Sequence, residues 1–173
     1  MDFVSVKGDV EDILSDLNHV QKKIAPVVVA NALNTAAFEA RDETVTRLAE
    51  SIAAPVRLVA PRAFVVKATK KKQEAAIRVL TLPLPAERLN YSVSKTAGVT
   101  AGNVHFPRGF EATMRSGHTG IFQRKGRPRL PIKKLWIPTD RLNSYAKNAI
   151  NRKAFVFVDI FDEEMTRELR KRA

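Results

Sequence analysis

Arg124, Lys125, Arg127, Arg129, Lys133 and Lys134 fall within eleven residues, with Phe122 and Trp136 at the flanks. Cations at that density neutralise phosphates or meet an acidic protein face. Lys70, Lys71 and Lys72 make a second, shorter run. Single-strand binding would also need several stacking aromatics on one exposed sheet face. Aromatic residues are only 7% of the chain, and the phenylalanines near the cluster have the setting of core positions. Three readings stay open for this constellation: a nucleic-acid surface, a charged subunit interface, and a solvated hairpin tip.

Other chemistry finds little support. No two of His19, His105 and His118 share the close helical spacing of a zinc motif. Ser116-Gly117-His118 sets a hydroxyl beside an imidazole, yet chain neighbours rarely face each other as a triad must, and the nucleophile-elbow pattern is missing. Glu74, Glu87, Glu111 and Asp140 are the acidic residues between 52 and 153. Their scatter argues for neither a carboxylate pair nor a hard-metal cage. Gly117, Gly120 and Gly126 do not match a phosphate loop, and Lys125 lacks the Ser/Thr that should follow. Cysteine is absent, which excludes disulfides and thiolate metal sites and fits a reducing compartment. The expectation is a non-enzyme with no cofactor, metal or catalytic residue.

The elements that must position the cations follow from charge and periodicity. Residues 1–51 carry 5 basic and 9 acidic side chains, a net of −4; residues 52–153 carry 21 and 4, a net of +17; residues 154–173 carry 4 and 5, a net of −1. The basic charge therefore sits in the middle of the chain. With 173 residues and 45% apolar content, a single folded domain over 1–173 is expected. No apolar run is long enough for a membrane span, and Met1–Ser5 lacks the layout of a signal peptide.

Phe3, Val4 and Val6 read as a short edge strand ended by Gly8, and Asp9 as the cap of a helix carrying Val10, Ile13, Leu14, Leu17 and Ile24. Pro26 opens the longest helix, to about Ile52, with Val29, Leu33, Ala36, Ala40, Leu48 and Ile52 as its apolar stripe. Phe64–Ala68 and Ala76–Leu82 read as strands around the charged turn 69–74, stopped by Pro83 and Pro85. The Ser/Thr/Gly/Asn-rich stretch 90–108 reads as a mobile loop or long hairpin arm. Strands follow around Phe110, Phe122 and Leu135–Ile137, then a helix capped by Thr139 or Asp140. The tail is rich in strand formers, but Phe155, Val158, Phe161, Met165 and Leu169 fit one helical face. The predicted class is α+β: N-terminal helices, one of them long, packed on an antiparallel sheet with a long hairpin or loop arm, then a C-terminal helix.

These residues carry a resemblance. Phe110-x-Ala112, the Gly117–Gly120 turn, Ile121-Phe122-x-Arg124, Arg129-Leu130-Pro131-Ile132-x-x-Leu135, the helical Asn31-Ala32-Leu33-Asn34 and the lysine-rich hairpin after Phe64 resemble the phage minor tail protein Z family. These are tail-completion or neck proteins of long-tailed phages and prophages. One departure is Trp136-Ile137-Pro138-Thr139, where that family often has a Gly-Pro-Ser-like turn. The resemblance implies a structural virion protein at the head–tail junction, in the host cytoplasm during assembly. It implies a homo-oligomeric ring between tail-terminator and head-closure proteins, in contact with a DNA channel and with no membrane partner. Under it, Arg124, Lys125, Arg127, Arg129, Lys133, Lys134 and Lys70–Lys72 become interface or DNA-channel candidates. The alternative is a basic nucleic-acid-binding protein using residues 52–153.

Overall fold

The computed structural model describes residue 15 and residues 18–128 and 130–171. The expected edge strand at Phe3–Val6, the Asp9 cap, the apolar positions Val10 to Leu17 and the site candidate Arg129 lie outside the described residues.

A π-helical turn, Val20–Ile24, runs straight into α1, Ala25–Ser51. Pro26 marks the junction; it has no N–H to give, which only the first turn of an α-helix tolerates. The helix buries Val28, Ala32, Ala36 and Ala40 at four-residue steps, then Val45, Leu48 and Ala49, and Ile52 is buried just past its end. Val29 and Leu33, expected on that stripe, are half-buried. Val28 and the small Ala32 take the inner positions, and Ala32, Ala36 and Ala40 permit close approach of neighbours. Thr44 is a buried polar residue on this face, and its hydroxyl donates to the Ala40 carbonyl at 2.6 Å. Past the helix end Ala53 turns to φ 49° while the Ala54 N–H returns to the Ala49 carbonyl at 2.8 Å, a left-handed cap more often built on glycine.

A single turn, α2 (Val56–Val59), leads to β1 (Ala63–Val66), which pairs with β2 (Ala76–Val79). β3 (Leu84–Pro85) pairs antiparallel with β10 (Trp136–Ile137). β4 (Tyr91–Ser94), β5 (Gly98–Ala101) and β6 (Val104–Phe106) form one antiparallel meander. β7 (Gly109–Thr113), β8 (Thr119–Arg124) and β9 (Ile132–Lys134) form another. Helices α3 (Arg141–Phe155) and α4 (Phe157–Arg170) close the chain. The class is α+β, with its strands distributed over small sheets. Segment 90–108, expected as a loop or long hairpin arm, holds β4 to β6, and Val99 and Ala101 of β5 are fully buried. Its Ser/Thr/Gly/Asn content marks three tight turns rather than an unstructured loop.

Contacts group the chain into two compact units, one drawn from the described parts of Met1–Glu39, Val65–Ile77 and Ile150–Ala173, the other from Ala40–Phe64 and Arg78–Ala149. Neither unit is a continuous stretch of sequence.

In the first unit the Asn34 amide bonds the Ala68 backbone twice, accepting from its N–H at 2.7 Å and donating to its carbonyl at 3.1 Å. Lys153 pairs with Glu39 at 2.7 Å. Glu164, 4% exposed, accepts from Thr35 at 3.3 Å and pairs with Arg167 at 2.9 Å. The protected face of α4 runs through Phe157, Ile160, Phe161, Glu164 and Met165, while Phe155, Val158 and Leu169 are exposed. The expected face is corrected by the break at Val156, whose φ −101° and ψ 10° end one helix and reset the register of the next.

In the second unit one core cluster joins Val45 and Leu48 of α1, and Ile52 just past its end, to Leu84, Val99, Ala101, Ile121, Ile137 and Leu142. Arg41 donates to the Ala63 and Ala60 carbonyls, each at 3.0 Å. Thr139 gives its hydroxyl to the Leu82 carbonyl at 3.0 Å instead of capping α3.

Candidate functional site

β8 is the element around which the cations are arranged. Ile121 and Phe122 are buried, which fixes the strand, and Arg124 at its exposed end opens the turn into β9. That turn, 125–128, carries Lys125 and Arg127, with the Lys125 N–H returning to the Pro131 carbonyl at 3.0 Å. Two further turns meet it. The β4–β5 turn brings Lys95 and the β6–β7 turn brings Arg108, so that Lys95, Arg108, Arg124, Lys125 and Arg127 line one cleft of about 450 Å³ with Thr96, Gly98, Gly109, Phe110 and Gly126.

The backbone explains the convergence. Gly98 has φ +103°, and a Cβ there would lie 2.8 Å from the Arg108 backbone nitrogen. Only glycine lets these two turns pack backbone to backbone. Gln123 donates to the Pro107 carbonyl at 2.6 Å and binds the β6–β7 turn to β8. Arg108 itself has φ 60°, a left-handed conformation that costs a non-glycine residue about 1 kcal/mol or more. Arg124 lies over the Phe110 ring at 5.8 Å, which holds its guanidinium at the cleft. No carboxylate lines this cleft, and among the described residues none pairs with its five cations.

The rest of the sequence cluster goes elsewhere. Lys133 is exposed on β9. Lys134 pairs with Glu87, donates to His118 Nε2 at 3.2 Å and lies over the Trp136 ring at 5.3 Å. Glu87 Oε1 is also 3.6 Å from His118 Nε2, while its Oε2 is buried without a hydrogen-bond partner among the described residues. Lys70, Lys71 and Lys72 are exposed in the β1–β2 turn, where Lys72 meets Glu74 at 3.3 Å. Lys95 and Arg108 were missed by the sequence reading. Their signal was a cation within three residues of a turn glycine, in Lys95-Thr96-Ala97-Gly98 and Arg108-Gly109.

Among the described residues no hydroxyl bonds the His118 ring, and His105 Nδ1 meets Thr100 across β5 and β6 at 3.1 Å with no third group. No group of three His, Asp or Glu able to hold a metal ion occurs among the described residues. Tyr91 donates to Glu111 at 2.8 Å; this bond, then burial, then the carboxylate charge raise its pKa above the ordinary tyrosine value. No described helix is long and apolar enough to cross a membrane.

A family model, prophage minor tail protein Z, matches residues 6–172. The chain belongs to the prophage minor tail protein Z family. The tail completion protein of Escherichia phage N15 is 30% identical over 146 residues, covering 78% of this chain and 79% of that protein. No solved structure matches the chain. As a minor tail Z protein it has a structural role in the phage tail. Its departure from the resemblance at Trp136-Ile137 is β10, whose Ile137 is buried in the core.

Proposed function

We propose that this minor tail Z protein is a tail-completion component that forms a homo-oligomeric ring at the head–tail junction of a long-tailed phage, without enzymatic activity. The observation that carries the proposal is the family match over residues 6–172 together with the tail completion protein of phage N15 as a relative. Charge segregation supports a ring: residues 1–51 are net −4 and residues 52–153 net +17, and two unlike patches that pair head to tail give a cycle when the rotation from copy to copy closes. Its partners in this reading are further copies of itself, tail-terminator and head-closure proteins, and DNA in the channel. It resides in the virion after assembly in the host cytoplasm.

We also propose that 1–173 acts as one domain, since neither compact unit is continuous in sequence. The 90–108 segment serves as the reach to a neighbouring copy through β4, whose four residues are exposed at the sheet edge. Deleting the segment would remove the buried Val99 and Ala101, so the test is substitution of Val93 by Lys on the exposed strand. Negative-stain microscopy with mass measurement, alone and with tail tubes, should show closed rings for the native chain and smaller species for Val93→Lys. A native chain that stays monomeric with tail tubes present contradicts the ring.

The alternative, a free nucleic-acid-binding protein, draws on the same basic region. It requires tight binding to free DNA without tail partners, with affinity falling steeply with salt.

A further inference from the structure

We propose that the cleft between the β4–β5, β6–β7 and β8–β9 turns is a binding site for the phosphodiester backbone of duplex DNA. The inference rests on the channel reading for the DNA it would meet, but the binding itself is a property of the cleft.

Three features point to this ligand. First, Lys95, Arg108, Arg124, Lys125 and Arg127 line the cleft with no carboxylate among them. Five like charges held together repel, and a cleft lined by one sign concentrates its field on an incoming anion. Second, three of the five are guanidiniums, whose planar fork matches phosphate oxygens. Third, Gly98, Gly109 and Gly126 form the wall between them, and a Cβ at Gly126 would approach only the Pro128 ring, at 3.5 Å. The Gly126 part of the wall is therefore open to close approach by a sugar–phosphate chain, while Gly98 and Gly109 pack against Phe106. Arg108 keeps a left-handed backbone at this cleft, and a strained cationic residue is a mark of a site that uses it.

The same features argue against other polyanions. A stable interface with an acidic protein face is usually built around a more apolar core, and the one ring here, Phe110, is half-buried and covered by Arg124. Single-stranded nucleic acid needs exposed aromatic platforms, which the cleft lacks. A duplex backbone presents evenly spaced charge and asks for neither.

The test is fluorescence anisotropy of a labelled mixed-sequence DNA duplex, titrated over a range of salt concentrations with the full chain. The triple variant Arg124→Gln, Lys125→Gln, Arg127→Gln should bind at least ~10-fold more weakly at low salt, and its slope of log K against log salt should shrink by about 3. Gly126→Glu, which puts a carboxylate in the cleft at a position with room for a side chain, should weaken binding in the same direction without disturbing the turn. Lys70→Gln, Lys71→Gln, Lys72→Gln removes as much charge from another turn and should leave the slope unchanged.

Equal slopes for the native chain and the cleft variants overturn the site, as does an equal loss in the Lys70–Lys72 variant. Displacement of the duplex by polyglutamate as readily as by unlabelled duplex, or preference for single strands, overturns the ligand. Mass measurement on each variant separates the two proposals. Intact rings with an unaltered slope sink the cleft alone; a persistent monomer whose slope responds sinks the ring alone.

Discussion

Arg127 and Lys134 lie seven positions apart in one basic stretch, and their surroundings differ in kind. Arg127 sits at a cleft with four other cations and no carboxylate. Lys134 is matched by Glu87, by the accepting nitrogen of His118 and by the Trp136 ring. A compensated cation holds a structure together; an uncompensated group of them is electrostatically costly to the fold and suits an external anion. The turn after β8 presents its cations outward beside two other turns, while β9 returns its lysine toward Glu87. The difference lies in which element carries the charge, and it divides one cluster into a candidate binding surface and a structural tie.

Disturbing the element common to both regions should have the largest effect. Ile121 is fully buried in β8, and Ile121→Ala should cost about 2–5 kcal/mol in a denaturant melt, loosening both regions at once. Glu87→Ala leaves Lys134 partly buried without its carboxylate, and a cost of about 1–3 kcal/mol is expected in the same assay. If that variant proves as stable as the native chain, Lys134 is not a tie. Arg127→Gln should alter stability by no more than ~0.5 kcal/mol. Any gain should appear at low salt and fade as salt screens the repulsion that the variant relieves.

The smallest effect concerns a tyrosine paired with a carboxylate instead of a cation. The Tyr91 pKa is raised, so the fold favours its neutral phenol. That contribution is complete below the ordinary tyrosine value and is lost as pH climbs through the raised one. Ultraviolet titration should show Tyr91 ionising later in the native chain than in Glu111→Gln. A titration curve that this substitution leaves unchanged would contradict the bond.

Much of the fold was legible because its signals are local. Four-residue spacing and Pro26 gave the long helix, read as Pro26 to Ile52 and observed as Ala25–Ser51. Turn residues between apolar runs gave the strands around Phe110 and Phe122. The face of α4 was not legible, because a single non-helical residue, Val156, shifts the register and no Gly or Pro announces it. The cleft was half legible. Arg124, Lys125 and Arg127 are neighbours in sequence, whereas Lys95 and Arg108 arrive through the pairing of β4, β5, β6 and β7, a long-range outcome. Lys134 was grouped with the cluster since nothing local marks Glu87, forty-seven residues earlier, as its partner.

The division of the cluster is tested most directly by measuring the salt dependence of duplex DNA binding for the native chain, the Arg124/Lys125/Arg127→Gln variant and Lys134→Gln side by side. A slope smaller by about 3 is expected for the first variant and a native slope for the second. Slopes reduced in proportion to the charge removed in both would mean that the two regions act as one basic surface, and would contradict that division.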